Sequence, residues 1–295
     1  MIEYVLWLAL GLMLISSVIP KSSKVRKLIG GIGWASFSIH WFSQPQHYIE
    51  IQDYVNVGLT LGLALFCVFI AYIMFKEYKE GAIASDRALS LKEPDADFET
   101  QALDKPSTQA LDVTSMLTSA SALGALVYFP FAQVPALNTL IIGGVASQVV
   151  WILQALGAPA VNKAWNLITL NGHTVEIILA CTAIESIALF AGLIAAVKAP
   201  LKRLFAAFLV SVPVIYGLNL IRDVFVVLAY GGEWFGPNSF VIAHNYLAKA
   251  GSGIALFAIS YAVLRILPEV LEMIDGLWYL LSGELKNILS RFRDG

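Results

Sequence analysis

Three side chains in this 295-residue chain have the chemistry of a nucleophile, an anion holder and a proton carrier: Cys181, Arg222 and His244. Each lies inside or at the edge of an apolar run, where an ionisable group is expensive and asks for a reason. A thiol is a weak nucleophile until it ionises, and burial alone raises its pKa. A nearby guanidinium favours the thiolate, stays charged in nearly any environment, and can hold the oxyanion of a tetrahedral intermediate. An imidazole can accept the thiol proton and return it to a leaving amine. Glu185, one turn beyond Cys181, could orient Arg222 or His244, and Asp223 could neutralise a neighbour. Together these groups suggest acyl transfer through a thioester.

Each residue also has a plainer reading. A cysteine in an apolar run is often a small hydrophobe, and Cys67, flanked by Leu, Phe and Val, is read that way. An arginine can snorkel or pair to fix helix packing. Glu185 could be a packing carboxylate, and His244 a residue of the membrane interface. His40, His47 and His173 are read as interfacial. Arg265 belongs with the basic residues at the far end of its helix.

The elements that must position these groups follow from composition. Hydrophobic residues make up 58% of the chain and charged residues 14%, with a mean hydropathy of +0.73; a soluble chain carries about 25% charged residues. The polar residues gather between apolar runs of membrane-spanning length. The sequence therefore predicts an all-α integral membrane protein, a polytopic helical bundle. A net charge of −2 gives no reason to expect a nucleic-acid partner. Two cysteines in different runs make neither a disulfide framework nor a metal cluster, and no metal or organic cofactor is expected.

Spans are expected at about 2–20, 27–43, 53–75, 113–132, 174–197, 204–230 and 243–267, each near the length a bilayer core requires. Basic clusters orient them: Lys21, Lys24, Arg26 and Lys27; Lys76 and Lys79; Lys198, Lys202 and Arg203; Lys286, Arg291 and Arg293. With all four cytoplasmic, the N-terminus is outside, the C-terminus inside, and the number of crossings odd. Seven spans satisfy this, so the eighth apolar stretch, about 137–156, is expected to lie in the outer interface or to dip in and return. Cys181 and Arg222 then lie about two turns below the outer surface, with His244 opening the next span, their depths agreeing within roughly 10 Å. The expected division is N-terminal membrane helices over 1–79, a cytoplasmic polar linker over 80–112, a catalytic membrane domain over 113–267, and a cytoplasmic amphipathic tail over 268–295. The linker holds Glu93-Pro94-Asp95-Ala96-Asp97 and Lys105-Pro106.

At these residues the sequence resembles the exosortase/archaeosortase family. Trp151-Ile-Leu-Gln-Ala-Leu-Gly157-Ala-Pro159, followed by Asn171-Gly172-His173-Thr174 and then Ala180-Cys181-Thr182, is similar to that family's helix ending in Leu-Gly-x-Pro, an extended outer segment, and Ala-Cys-(Ser/Thr) opening the next helix. Asn219-Leu-Ile-Arg222-Asp223 resembles its arginine motif, and Ala243-His244-Asn245 falls where its third residue is expected. Thr182 to Ala188 looks closer to the archaeosortase side, some members of which carry Arg in the third role. The likeness is specific over about 150–250 and generic over 1–135.

The resemblance implies a membrane-embedded cysteine transpeptidase acting on surface proteins with a C-terminal tripartite signal: a short motif of Pro-Gly-Phe type, a hydrophobic helix and a basic tail. It implies that Cys181 attacks the scissile amide, Arg222 holds the oxyanion and His244 moves the proton. Asn219, Asp223, Glu185 and Asn245 would support them, and 137–171 would contribute an outer-face substrate site. A membrane lipid amine would resolve the thioester. The substrate helix would need small-residue contacts, for which the Gly and Ala positions of 188–196 are candidates. Composition and topology alone leave other readings open: a transporter or channel with an intramembrane Arg/Asp/Glu site, a cysteine protease with water as acceptor, or a scaffold whose charges only pack helices. No repeated half supports transport.

Overall fold

The computed structural model describes residues 2–20, 23–50, 53–90 and 106–294. The polytopic helical bundle expected from composition is what forms. Among the described residues, five helical stretches are long and apolar enough to cross a membrane: Tyr54–Gly81, Val113–Gln133, Pro135–Ala155, Leu201–Gly231 and Val241–Ile266, beside the shorter apolar Tyr4–Val18 and Ile184–Ala196. The chain divides into two compact units, one of 1–122 with 272–295 and one of 123–271.

The first unit holds α1 (Ile2–Val18), α2 (Lys24–Ser43), the short α3 (Pro45–Glu50), α4 (Tyr54–Ser90), the start of α5 (Pro106–Gln133) and most of α10 (Pro268–Asp294). Glycines let α2 approach its neighbours closely. A Cβ at Gly33 would stand 2.8 Å from Met13 Cγ, and one at Gly31 would stand 2.9 Å from Phe75 Cε1. Small residues at contacts are how helices pack without a hydrophobic driving force between them. Lys27, read as one of the first basic cluster, is buried within this unit. Its Nζ donates to Thr114 Oγ1 at 2.6 Å and pairs with Glu77 Oε2 at 2.8 Å. His40 is buried too, stacked on Phe37 and edge-on to Trp41, because it shares the inward face of α2 with Trp34 and Phe37. Cys67 is fully buried among apolar side chains. At the ends of the expected linker α4 runs on to Ser90 and α5 begins at Pro106. Glu93 to Lys105 lie outside the described residues, as does the side chain of His47.

The second unit holds the rest of α5, α6 (Pro135–Ala155), three strands, α7 (Ile184–Ala196), α8 (Leu201–Gly231), a π-helical segment Val241–Ala248 and α9 (Lys249–Ile266). Two elements differ from expectation. The stretch 137–156 neither breaks nor turns back; α6 is one continuous helix with Pro135 at its first turn, where a missing N–H costs nothing. The expected span over 174–197 is helical only from Ile184, and 13 residues of α7 reach about 20 Å, short of a ~30 Å hydrocarbon core. Residues 173–183 are extended or turned instead.

Candidate functional site

The site is assembled at the strand-to-helix passage that ends in Cys181. It begins where α6 stops. Gly157 takes φ +83°, a conformation open to glycine at little cost. The Gly157 N–H donates to the Gln154 carbonyl and the Ala158 N–H to the Leu153 carbonyl, both at 2.9 Å. This pairing satisfies the last carbonyls of the helix, and Pro159 prevents it from resuming. The Leu-Gly-x-Pro run is thus a helix terminator that releases the chain into the sheet.

That sheet is antiparallel, with β1 (Val161–Ala164), β2 (Leu167–Leu170) and β3 (His173–Glu176) in sequential order. Asn171 and Gly172 form the two-residue turn between β2 and β3, at φ 51° and 87°. Two positive φ values match the right-handed twist of a hairpin, and Asn-Gly is the pair that accepts them most readily. Ile168 and Leu170 of β2 bury themselves beside Val149 and Leu153 of α6 and Val224 and Val227 of α8. Asn171 Nδ2 donates to the Gly231 carbonyl at 3.0 Å. A Cβ on Gly231 would lie 2.7 Å from Leu170, so this contact needs glycine. The hairpin is thereby seated on the end of α8.

From β3 the chain passes through extended Ile178 into a single 3-10 turn, Leu179–Cys181. The Cys181 N–H donates to the Ile178 carbonyl at 2.8 Å. Thr182 closes the turn by donating its N–H and its hydroxyl to the Leu179 carbonyl. Ala183 then takes φ 58°, a left-handed conformation costly for a residue with a Cβ, and α7 starts immediately after it. Such outliers cluster at functional sites. Cys181 is therefore held in a turn before a helix, not two turns inside one as the sequence suggested. β-branched Thr174, Val175, Ile177 and Ile178 favour extended backbone. The first N–H groups of α7 are free of side-chain caps. Burial pushes the Cys181 thiol up from its ordinary value; Asp223 adds to the rise and Arg222 opposes it.

One face of α8 carries Asn219, Arg222 and Asp223, at i, i+3 and i+4. Asn219 Nδ2 donates to the Cys181 carbonyl at 2.7 Å and to Asp223 Oδ2 at 3.1 Å. Arg222 Nη1 meets Asp223 Oδ1 at only 3.5 Å. The Cys turn, the amide, the carboxylate and the guanidinium thus form one connected chain. Asn219, read from sequence as a supporting residue, is the link that ties α8 to the Cys turn. Asp223, not Glu185, is the carboxylate on Arg222. Glu185 is exposed on the first turn of α7, and among the described residues no hydrogen bond or ion pair joins it to Arg222 or His244.

A cavity of about 610 Å³ opens beside this chain of contacts. Ala180 and Ala183 flank Cys181 on its wall, and Asn219, Arg222 and Glu185 also reach it. Its small-residue side comes from Gly251, Ser252, Gly253 and Ala255 of α9. Part of the 188–196 stretch of α7 is occupied: a Cβ on Gly124 of α5 would stand 3.0 Å from the Ala188 carbonyl oxygen. His244 sits in the π-helical segment, its ring stacked on Phe240 with centroids 5.2 Å apart. It does not line the cavity, and Asn245 is exposed. Lys249, which sequence reasoning passed over, does line it. The signal was present, since Lys249 interrupts an apolar run as surely as Arg222 does.

Residues 109–266, more than half of the chain, match the family model of the transmembrane exosortases. Archaeosortase A of Haloferax volcanii is 24% identical over 315 aligned positions, covering 94% of this chain and 93% of its own length. Archaeosortase A of Natronomonas pharaonis is 26% identical over 285 positions, covering 85% and 79%. No solved structure matches.

Proposed function

The chain belongs to the transmembrane exosortase family, and we propose that it is a membrane-embedded cysteine transpeptidase that removes a C-terminal sorting signal from surface proteins and joins the new C-terminus to a membrane lipid. The observation that carries this reading is the connection of the Cys181 turn to Arg222 through Asn219 and Asp223. A nucleophile on a strand-to-helix turn that is bonded to the helix bearing Arg222 has a scaffold that suits acyl transfer.

In the first step the Cys181 sulfur attacks the carbonyl carbon of the scissile amide. The negative charge that develops on the carbonyl oxygen is held by Arg222. The C–N bond breaks, and the thiol proton travels by way of His244 to the departing amine, leaving a thioester on Cys181. In the second step the amine nitrogen of a lipid attacks that thioester. The C–S bond breaks, an amide forms, and one amine proton returns to the sulfur. Asp223 and Asn219 keep Arg222 and the Cys181 carbonyl in register, with Glu185 and Asn245 as outer supports.

The signal is a Pro-Gly-Phe type motif followed by a hydrophobic helix and a basic tail. The cavity supports this, because its small-residue wall on α9 suits close approach of a helix. The sheet over 161–176, seated on the end of α8, supports a role in receiving the motif. Lys198 lies between α7 and α8, Lys202 and Arg203 lie in the first turn of α8, and Arg203 Nε donates to the Ile266 carbonyl at the end of α9. The positive-inside tendency makes this basic end cytoplasmic and the Cys181 end extracytoplasmic. By the same rule the N-terminus is outside and the amphipathic α10 lies on the inner surface. The test is the intact mass of a co-expressed Pro-Gly-Phe-tailed substrate. Loss of the tail with gain of a lipid mass is expected; loss of the tail with gain of water alone would make the enzyme a protease, and an untouched tail would remove the reading.

A further inference from the structure

The cavity beside Cys181 offers a cation that neither the composition nor the resemblance assigned. Lys249 opens α9 directly after the π-helical segment and lines the same cavity as Arg222, Asn219 and Ala180. Among the described residues no carboxylate pairs with it. Arg222 has only the distant contact with Asp223, at 3.5 Å. Glu185 is the one acidic residue on the cavity wall. Two largely unneutralised cations therefore face one space that also reaches the Cys turn. Arg222 is half-buried at this wall and Lys249 is exposed on it, so an anionic group entering the cavity would meet both charges. His244, by contrast, does not line the cavity, although it lies within the electrostatic influence of both Arg222 and Lys249.

We propose that Lys249 is a second catalytic cation, which shares with Arg222 the negative charge that develops on the substrate carbonyl oxygen when Cys181 attacks. The inference rests on the transpeptidase reading above and adds a residue to it. The local backbone fits this use. A π-helical segment winds wider than an α-helix and is common at functional sites. Here it sets the position at which α9 begins, and so where Lys249 enters the cavity. Cations placed where negative charge appears during reaction stabilise the transition state more than the ground state. Loss of Lys249 should accordingly slow turnover and leave substrate affinity nearly intact.

The experiment uses the full chain reconstituted in lipid vesicles with a Pro-Gly-Phe-tailed substrate. Turnover and half-saturation are measured for wild type, Lys249→Gln, Lys249→Arg and Cys181→Ser. Lys249→Gln is expected to lower turnover by roughly 100-fold, the scale of one lost oxyanion donor, with half-saturation within about threefold. Lys249→Arg is expected to recover most of the rate because it restores the charge. If Lys249→Gln does not assemble, Lys249→Met, which keeps the length of the stem, takes its place. The proposal is overturned if the uncharged variant turns over like wild type, if its defect lies in half-saturation alone, or if Lys249→Arg is as inactive as Lys249→Gln while eluting as folded protein. Turnover by Cys181→Ser would instead remove the transpeptidase reading itself.

Discussion

Both units of this chain bury charge among apolar helices, and they treat it in opposite ways. In the first unit Lys27 and Glu77 have 7% and 9% of their side chains exposed and pair at 2.8 Å, with the Thr114 hydroxyl bridging them. The cation is consumed locally. In the second unit Arg222 keeps 17% of its side chain open to the cavity, its carboxylate partner stands at 3.5 Å, and Lys249 faces the same cavity without an acidic partner among the described residues. A charge that is already paired can only hold helices together. A charge left available can act on something that arrives.

The comparison can be broken most forcefully at the closed pair. Removing one partner of a buried ion pair costs about 3–5 kcal/mol, because the other charge is stranded. Lys27→Met should lower the thermal stability of the detergent-solubilised protein accordingly, while turnover per folded molecule stays near wild type. The double change Lys27→Met with Glu77→Met should restore much of the stability. At the open site the effects should be reversed. Arg222→Gln should cost about 10²–10³-fold in turnover, the range for a lost oxyanion donor, with a melting temperature close to wild type. A collapse of stability in Arg222→Gln, or of turnover in Lys27→Met, would erase the distinction.

A smaller effect sharpens it. Asn219→Ala removes the donor that joins the Cys181 carbonyl to Asp223, and one hydrogen bond of roughly 1.4 kcal/mol corresponds to about tenfold in rate. Both rate and stability should fall modestly, since this residue belongs to packing and to chemistry. The smallest expected effect is in reagent reactivity. The thiolate is the form that alkylates, and burial raises the Cys181 pKa, so less thiolate is present at neutral pH. In a Cys67→Ser background, iodoacetamide labelling of the substrate-free enzyme should rise with pH only above the range of an ordinary thiol, about 8.5. Labelling that is already fast at neutral pH would mean that Arg222 and the α7 N-terminus outweigh burial before substrate arrives.

The sequence made part of this legible and hid part of it for physical reasons. Apolar run length located most helices, since bilayer thickness fixes it. Hydropathy does not separate a short extended run from the first turns of a helix. Thr174, Val175, Ile177 and Ile178 therefore read as helix, although Asn171-Gly172 before them is the strongest short-range signal for a hairpin. Counting crossings suggested that 137–156 turns back, yet nothing in its apolar run ends a helix, and its glycines weaken the helix without breaking it. Cys181, Arg222 and Asp223 were visible because charged and reactive groups stand out in apolar surroundings, and Asn219 was visible only through the resemblance to the arginine motif. The partner of Arg222 was not, because Asp223 and Glu185 are equally plausible until the turn after β3 fixes where α7 begins. Lys27 was read only as one of a basic cluster and Lys249 was passed over, and only packing separates the one that is closed from the one that is open.

The central claim is that Cys181 carries the acyl group. Its most direct test is peptide-level mass analysis of acid-quenched enzyme caught with tailed substrate while acceptor lipid is scarce. The account predicts a substrate fragment on the peptide containing Cys181, released by hydroxylamine as a thioester would be and missing from Cys181→Ser. A fragment on another residue, or processing by Cys181→Ser at the wild-type rate, would contradict it.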